Sequence, residues 1–264
     1  MHAMHGSINM TEKPFKDYFS TQSSDYQKYR PAYPESLYKF LADISPAHNC
    51  AWDCATGNGQ AAMGLAKHFT RVIATDASSK QLSHAMQANN IEYQLAASEE
   101  TRIASNTIDL ITVAQALHWF DVDAFYREAR RVLKNNGVIS VWTYNLLSIS
   151  VDIDQIIAHL YADILRAYWP AERQLIENGY RDIPFPFRRI ITPEFTLQAQ
   201  WNLHELTGYF QTWSAVQNYM RANNKNPVQY ILPMLSSAWG HDANKKAISW
   251  PLHVIVGQHS DLSN

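Results

Sequence analysis

The sequence predicts an α/β fold with a mostly parallel sheet, and three observations predict it. From about residue 50 to 145 short apolar, β-rich runs alternate with helical patterns; the first two runs end in aspartates; and a small-residue loop with two glycines follows the first run. The runs are Cys50–Asp53, Val72–Asp76, Ile91–Leu95, Ile108–Ala114 and Val138–Tyr144. Between the last two, Asp121 reads as a helix cap, Val122, Phe125, Ala129, Val132 and Leu133 share one face, and Gly137 is expected to stop the helix.

Ahead of the first run, Pro34 and Glu35 open a short helix whose Leu37, Phe40 and Leu41 repeat at helical spacing, so 13–46 is read as a helical leading segment. The opening MHAMHGSINM has no periodicity, and 1–12 is expected to be a disordered leader. After Tyr144 the pattern changes. Ile153, Ile156, Ile157, Leu160, Ile164 and Leu165 define an amphipathic helix that breaks at Trp169–Pro170, and 146–190 is expected to form a lid or substrate insertion. A strand candidate at Glu194–Trp201, a helix carrying Leu206, Phe210, Trp213 and Tyr219, and a last strand at Trp250–Val256 complete a single domain over 13–264.

At 264 residues, 46% hydrophobic and 17% charged, the chain can bury one large core with an elaborated lid. Its 22 basic and 24 acidic side chains leave a net charge of -2, which offers a polyanion no attractive field, so nucleic acid is not an expected partner. There is no run of eighteen apolar residues and no signal peptide with a basic start and apolar stretch. A cytoplasmic protein without a membrane partner is therefore expected, its oligomeric state open. Cys50 and Cys54 fall in one strand, about 13 Å apart at strand rise, too far for a disulfide. They read as small buried hydrophobes in a reducing compartment, and no Cys or His pair stands at zinc-ligand spacing.

The segment Ala51-Trp-Asp-Cys-Ala-Thr-Gly-Asn-Gly-Gln60 is a strand ending in an acid, a loop with Gly57 and Gly59, and a helix from about Gln60. Small residues there let backbone approach a ligand. Asp76 ends the next strand, where an acid can accept both hydroxyls of a ribose. Gly57-x-Gly59-x-x-Ala62 also fits a dinucleotide fingerprint. Asp53 argues against that reading, because a carboxylate beside the loop repels a pyrophosphate yet suits an ammonium group.

Asp53-x-Ala55-x-Gly57-x-Gly59, the Val-Ile-Ala-Thr-Asp76 strand, Ser98–Glu99 and Asp109-Leu-Ile-Thr-Val-Ala-Gln-Ala-Leu-His-Trp119 resemble the successive motifs of class I methyltransferases that use S-adenosylmethionine (AdoMet). The resemblance covers nearly all of Phe15–Gln258. Tyr26-x-x-Tyr29-Arg-Pro-x-Tyr33-Pro34, His118–Trp119–Phe120 and Thr212-Trp-Ser-Ala-Val216 further resemble the subgroup of trans-aconitate methyltransferase-like proteins. Ala55 departs from the family, standing where it usually has its first glycine. The resemblance implies a Rossmann-like fold with a seven-stranded, mostly parallel sheet, helices on both faces and a helical lid, at least one late strand running antiparallel.

Carried over, the resemblance implies that Asp53 and the loop Ala55, Thr56, Gly57 and Gly59 hold the methionine part of AdoMet. Asp76 would take the ribose, Ala77 and Ser78 would flank the adenine, Ser98 and Glu99 would meet the base edge, and Ala114, Gln115 and His118 would lie near the sulfonium. Tyr26 and Arg30 would close over the cofactor, with Arg30 available to its carboxylate or to an acidic substrate. No metal is implied. The expected reaction is methyl transfer to a small-molecule acceptor, carboxylic acids included, by in-line displacement. Alternatives are an NAD(P)-dependent oxidoreductase and a non-catalytic nucleotide-binding module.

A carboxylate acceptor needs no general base, whereas a phenol, amine or carbon acid loses a proton, and His118 is the residue best placed to take it. Tyr33, Trp119, Trp142, Tyr144, Trp169, Tyr180 and Phe187 are candidates for the walls of an acceptor pocket. Arg173, Arg188 and Arg189 are candidates to bind a polycarboxylate, although adjacent arginines also make solvated edges.

Overall fold

The computed structural model describes residues 29–260. Eight strands form one sheet: β1 (Cys50–Cys54), β2 (Arg71–Asp76), β3 (Ile91–Leu95), β4 (Ile108–Ala114), β5 (Leu133–Tyr144), β6 (Arg188–Ile190), β7 (Phe195–Trp201) and β8 (Lys246–Gln258). The order is β3-β2-β1-β4-β5-β8-β6, with β7 also paired to β8. The first five strands are mutually parallel, and β8 runs antiparallel to β5, β6 and β7 alike. The order reverses between β1 and β4, which opens a crevice at the carboxyl ends of those strands.

Alternation along the strands builds two cores. Ala51, Val72, Leu110 and Val138 point into one cluster, while their neighbours Trp52, Ile73, Ile111 and Ile139 point into the other. The first face is covered by α1 (Glu35–Asp43), α2 (Gln60–Leu65), α5 (Val151–Ala158), α7 (Leu203–Gln211), α8 (Ser214–Asn223) and α9 (Val228–Trp239). The second is covered by α4 (Val122–Val132) and by the segment following α6 (Arg173–Glu177), which inserts Tyr180, Ile183 and Phe187. Short α3 (Ser79–Ser83) buries no side chain.

The seven strands expected from the sequence are present, and Arg188–Ile190 adds a short eighth on β8. Two helix boundaries also differ. The helix capped by Asp121, whose Oδ1 accepts from Ala124 N at 3.1 Å, ends at Val132 and not at Gly137. Leu133 is already extended and pairs with Ile108, and the register then shifts so that Val138 pairs with Leu110. Gly137 lies in that irregular stretch, where a Cβ would come within 2.8 Å of the Lys134 carbonyl. The helix expected through Leu206 and Tyr219 is two, since Thr212 Oγ1 donates back to the Tyr209 carbonyl at 2.6 Å and Trp213 turns extended.

Residues 146–190 cross from one face of the sheet to the other. Ile153, Ile157, Leu160 and Leu165 enter the first core, and Ile176, Tyr180, Ile183 and Phe187 enter the second. A π-helical turn, His159–Ile164, ends the helical run before Trp169–Pro170. Between its two anchors the segment passes the ends of β4 and β5.

Candidate active site

The loop after β1 is held from beneath by Asp53. Its carboxylate is fully buried; Oδ2 accepts from Thr56 Oγ1 at 2.5 Å and Oδ1 from Thr112 Oγ1 at 2.8 Å. Burial pushes its pKa up to about 6 against those two hydroxyl donors. Asp76 ties the loop to the end of β2, Oδ2 accepting from Gly57 N at 2.8 Å and Oδ1 from Ser78 N at 2.8 Å. The two glycines differ in what they permit. Both have positive φ, but a Cβ at Gly57 would meet nothing within 4 Å, whereas one at Gly59 would overlap the Tyr93 hydroxyl. Gly57 therefore faces open space, and Gly59 makes room for the chain's own tyrosine. Ala55 adopts φ 54°, the left-handed conformation that its missing glycine would favour.

Beside the loop, Ala77 is exposed and Ser78 is buried, capping α3 through Oγ to Gln81 N at 3.3 Å. Ser98 and Glu99 lie half-buried in the turn after β3, and Glu99 Oε1 accepts from Asp121 N at 3.0 Å. Ala114 ends β4 and is half-buried. Gln115 follows with φ 55°; its Nε2 donates to the Tyr144 carbonyl at 3.2 Å and its Oε1 accepts from the Thr143 hydroxyl.

Next to Gln115 lies a cavity lined by Arg30, Gln115, His118, Trp119, Tyr144, Asn145, Trp169, Arg173, Tyr209 and Trp213 among others. Arg30 spans it from the leading segment, NH1 donating to Tyr144 Oη at 2.9 Å and NH2 to the Thr212 carbonyl at 3.3 Å, with its guanidinium 5.2 Å from the Tyr209 ring centre. Arg173 enters from α6. Its Nε donates to Tyr161 Oη at 2.7 Å, NH2 donates to Asn145 Oδ1 at 2.7 Å, and its guanidinium stacks 4.7 Å from Trp169. Tyr161 belongs to the π-helical turn and donates in turn to Glu177, so the turn braces the arginine. No aspartate or glutamate is among the described residues that line the cavity.

His118, on the 3-10 turn Leu117–Trp119, is buried with Nδ1 2.8 Å from Tyr180 Oη. Burial, with the nearby Arg173 charge, pushes its pKa down to about 3. The imidazole is neutral at physiological pH.

Of the candidate wall residues, Trp119, Tyr144 and Trp169 come to this cavity, and Tyr180 stands directly behind His118. The structure does not bring Trp142 or Phe187 there: Trp142 is fully buried against Tyr33, ring centres 5.4 Å apart, and Phe187 packs on Tyr126 and Phe185 in the second core. Arg188 and Arg189 sit exposed on β6, Arg188 donating to Gln258 and Arg189 stacking on Phe185. Tyr26 lies outside the described residues. Sequence reasoning missed Asn145, Tyr209 and Trp213 as cavity residues. Trp213 stood in a quoted motif, but only the break between α7 and α8 turns it inward.

Fold and site together define a protein that binds a nucleoside-bearing ligand at the switch point of an open sheet with one reversed strand. The methyltransferase domain family matches residues 52–141. A protein of Dictyostelium discoideum named as a methyltransferase is 33% identical over 255 residues, spanning 94% of this chain and 97% of its own. One from Saccharomyces cerevisiae, named as an S-adenosylmethionine-dependent methyltransferase, is 23% identical over 78% of this chain and 83% of its own. A solved structure described as a type II methyltransferase of Anaeromyxobacter dehalogenans is 36% identical, superposes with a TM-score of 0.83, and is covered over 98% of its length by 87% of this chain. The chain belongs to the class I S-adenosylmethionine-dependent methyltransferases, and AdoMet is its cofactor. The comparisons reach the family but do not single out the trans-aconitate subgroup.

Proposed function

We propose that the protein esterifies a small carboxylic acid in the cavity beside Gln115. The observation that carries this reading is the pair of guanidiniums, Arg30 and Arg173, facing a cavity with aromatic walls and no carboxylate among the described residues that line it. Such a lining attracts an anion, and guanidinium geometry matches a carboxylate.

The open space over Gly57, next to an acid that ends β2, fits AdoMet. Asp53, Ala55, Thr56, Gly57 and Gly59 would hold its methionine part, Asp53 through its negative charge beneath the loop. Asp76 would hold the ribose with the lone pairs left over from Gly57 and Ser78, while Ala77, Ser78, Ser98 and Glu99 would border the base. Ala114, Gln115 and His118 would lie near the sulfonium, Gln115 and His118 on the cavity wall. When bound, AdoMet supplies an electrophilic methyl group that an oxygen nucleophile takes by in-line displacement. The protein's part is to orient the acceptor and exclude water.

Trp119, Tyr144, Trp169 and Trp213 make the apolar walls, and Arg30 with residues 146–190 serves as the lid. A carboxylate arrives ionised, so no base is required. The small acceptor, the net charge of -2 and the free thiols Cys50 and Cys54 support a cytoplasmic enzyme that does not act on nucleic acid. Among the described residues no helix is long and apolar enough to cross a membrane.

Incubating the protein with labelled AdoMet and a panel of carboxylic acids, phenols and amines tests the reading. Base-labile methyl esters are expected, and Arg173→Gln should raise KM for the acid while leaving AdoMet affinity intact. Transfer to amines or phenols alone would overturn it.

A further inference from the structure

Four polar side chains line up at the back of the cavity, Gln115 bonded to Thr143 and Tyr180 bonded to His118. Two of them, Gln115 at φ 55° and Tyr180 at φ 60°, hold left-handed backbone that a residue with a side chain rarely adopts. For a fully buried tyrosine this is an outlier, and such strain persists where the surroundings impose it, commonly at functional sites.

The protons of these four side chains can be assigned one by one. Tyr144 fixes the Gln115 amide, since its carbonyl accepts from Nε2 at 3.2 Å and its amide donates to Oε1 at 3.4 Å. Oε1 then takes the Thr143 hydroxyl proton, which leaves Thr143 none to give Tyr180. Tyr180 is fully buried, and among the described residues the one hydrogen bond of ordinary geometry at its hydroxyl is with His118 Nδ1. A buried hydroxyl proton needs an acceptor, so the phenol donates its own proton to Nδ1 across 2.8 Å. The imidazole proton must then sit on Nε2. Among the described residues Nε2 has no hydrogen-bond partner, and the side chain lines the cavity.

We propose that Tyr180 is a positioning residue that locks His118 as a neutral Nε2–H donor, which orients the acceptor's nucleophilic oxygen and takes no proton from it. The inference rests on the carboxylate reading for its substrate, but not for its tautomer. A neutral donor aligns an oxygen without drawing off as much of its negative charge as an imidazolium would. The groups around the ring agree: Tyr180 stands behind it, Tyr144 and Tyr209 on the walls, Arg30 and Arg173 across the cavity, and Glu177 of the facing helix is turned away onto Tyr161. Among the described residues around it none is a carboxylate placed to stabilise an imidazolium.

Nitrogen-15 NMR of histidine-labelled protein at pH 7 without acceptor should show His118 neutral and protonated on Nε2, and Tyr180→Phe should mix the tautomers. A parent enzyme with the Nδ1–H tautomer, or with an imidazolium, overturns the proposal. With a carboxylate acceptor, His118→Gln, which keeps a neutral donor, should retain most of kcat, while His118→Ala should lose roughly ten- to a hundredfold in kcat/KM, as for one hydrogen bond to a charged group. The kcat of the parent should be flat from pH 6 to 9. Equal losses in the two variants, with a pH profile breaking near the usual histidine value, would make His118 a general base and overturn the proposal. If no carboxylate is methylated, the function reading fails while the NMR result stands by itself.

Discussion

At the scale of single residues, the two aspartates of the loop do different work. Asp76 is nearly buried yet ends a strand at the crevice, and each of its oxygens already accepts one backbone amide. Asp76→Ala should weaken AdoMet binding by about 1.5–3 kcal/mol per charged hydrogen bond lost. Asp53 lies wholly beneath the loop on two hydroxyls, so Asp53→Asn should weaken binding less, since the amide keeps part of that bonding. Isothermal titration of both variants ranks them; parental affinity in Asp76→Ala would remove the ribose assignment. Ala55 carries a different strain. A left-handed alanine costs about 1–2 kcal/mol, and a glycine there costs roughly 0.5–1 kcal/mol of extra chain entropy, so Ala55→Gly should stabilise the fold by up to about 1.5 kcal/mol. Urea unfolding checks it, and a lower midpoint would show that the Cβ contributes packing that outweighs the strain.

At the scale of elements, residues 146–190 are both core and cavity wall. Phe187 is buried among Tyr126 and Phe185, whereas Trp169 is half-buried, faces the cavity and carries Arg173 on its ring. Phe187→Ala should therefore cost about 3–5 kcal/mol of stability, and Trp169→Ala much less stability but a large share of turnover. Thermal melts beside turnover assays separate them; parallel losses in both variants would make the segment a structural cover only. The sequence made the five parallel strands legible because β1, β2, β4 and most of β5 are buried apolar runs, while β3, half-exposed at the sheet's edge, is set off by the asparagines before it. It hid Arg188–Ile190, where three residues with two exposed arginines show no alternation, and Val228–Trp239, where Pro233 interrupts an otherwise helical spacing of Val228, Ile231 and Leu235. The loop acids and Gln115 stood at strand ends and could be found. Asn145 and Tyr209 carry no local signal, because only the packing of distant segments turns them into one cavity.

At the scale of the whole molecule, the cavity is a junction of parts far apart in sequence. Arg30 ties the leading segment to Tyr144 and Thr212, Arg173 ties α6 to Asn145 and the π-helical turn, and Trp213 meets Trp169 with ring centres 5.6 Å apart. The sheet beneath is rigid by burial, its inner strands buried along most of their length. Motion is therefore cheapest in the segments above it, which meet around the cavity through side chains. A ligand that bridges Arg30 and Arg173 should tighten them together. Hydrogen exchange with S-adenosylhomocysteine alone should slow around 55–59 and 76–78, and adding a methylatable carboxylate should extend protection to 169–176 and 209–214. At a hundred times its Kd each ligand should add about 2.7 kcal/mol to stability, and Trp169→Ala should reduce the acid's increment while sparing the cofactor's. Protection of 169–176 by S-adenosylhomocysteine alone, unchanged by the acid, would place that segment over the cofactor and take the acceptor out of this cavity.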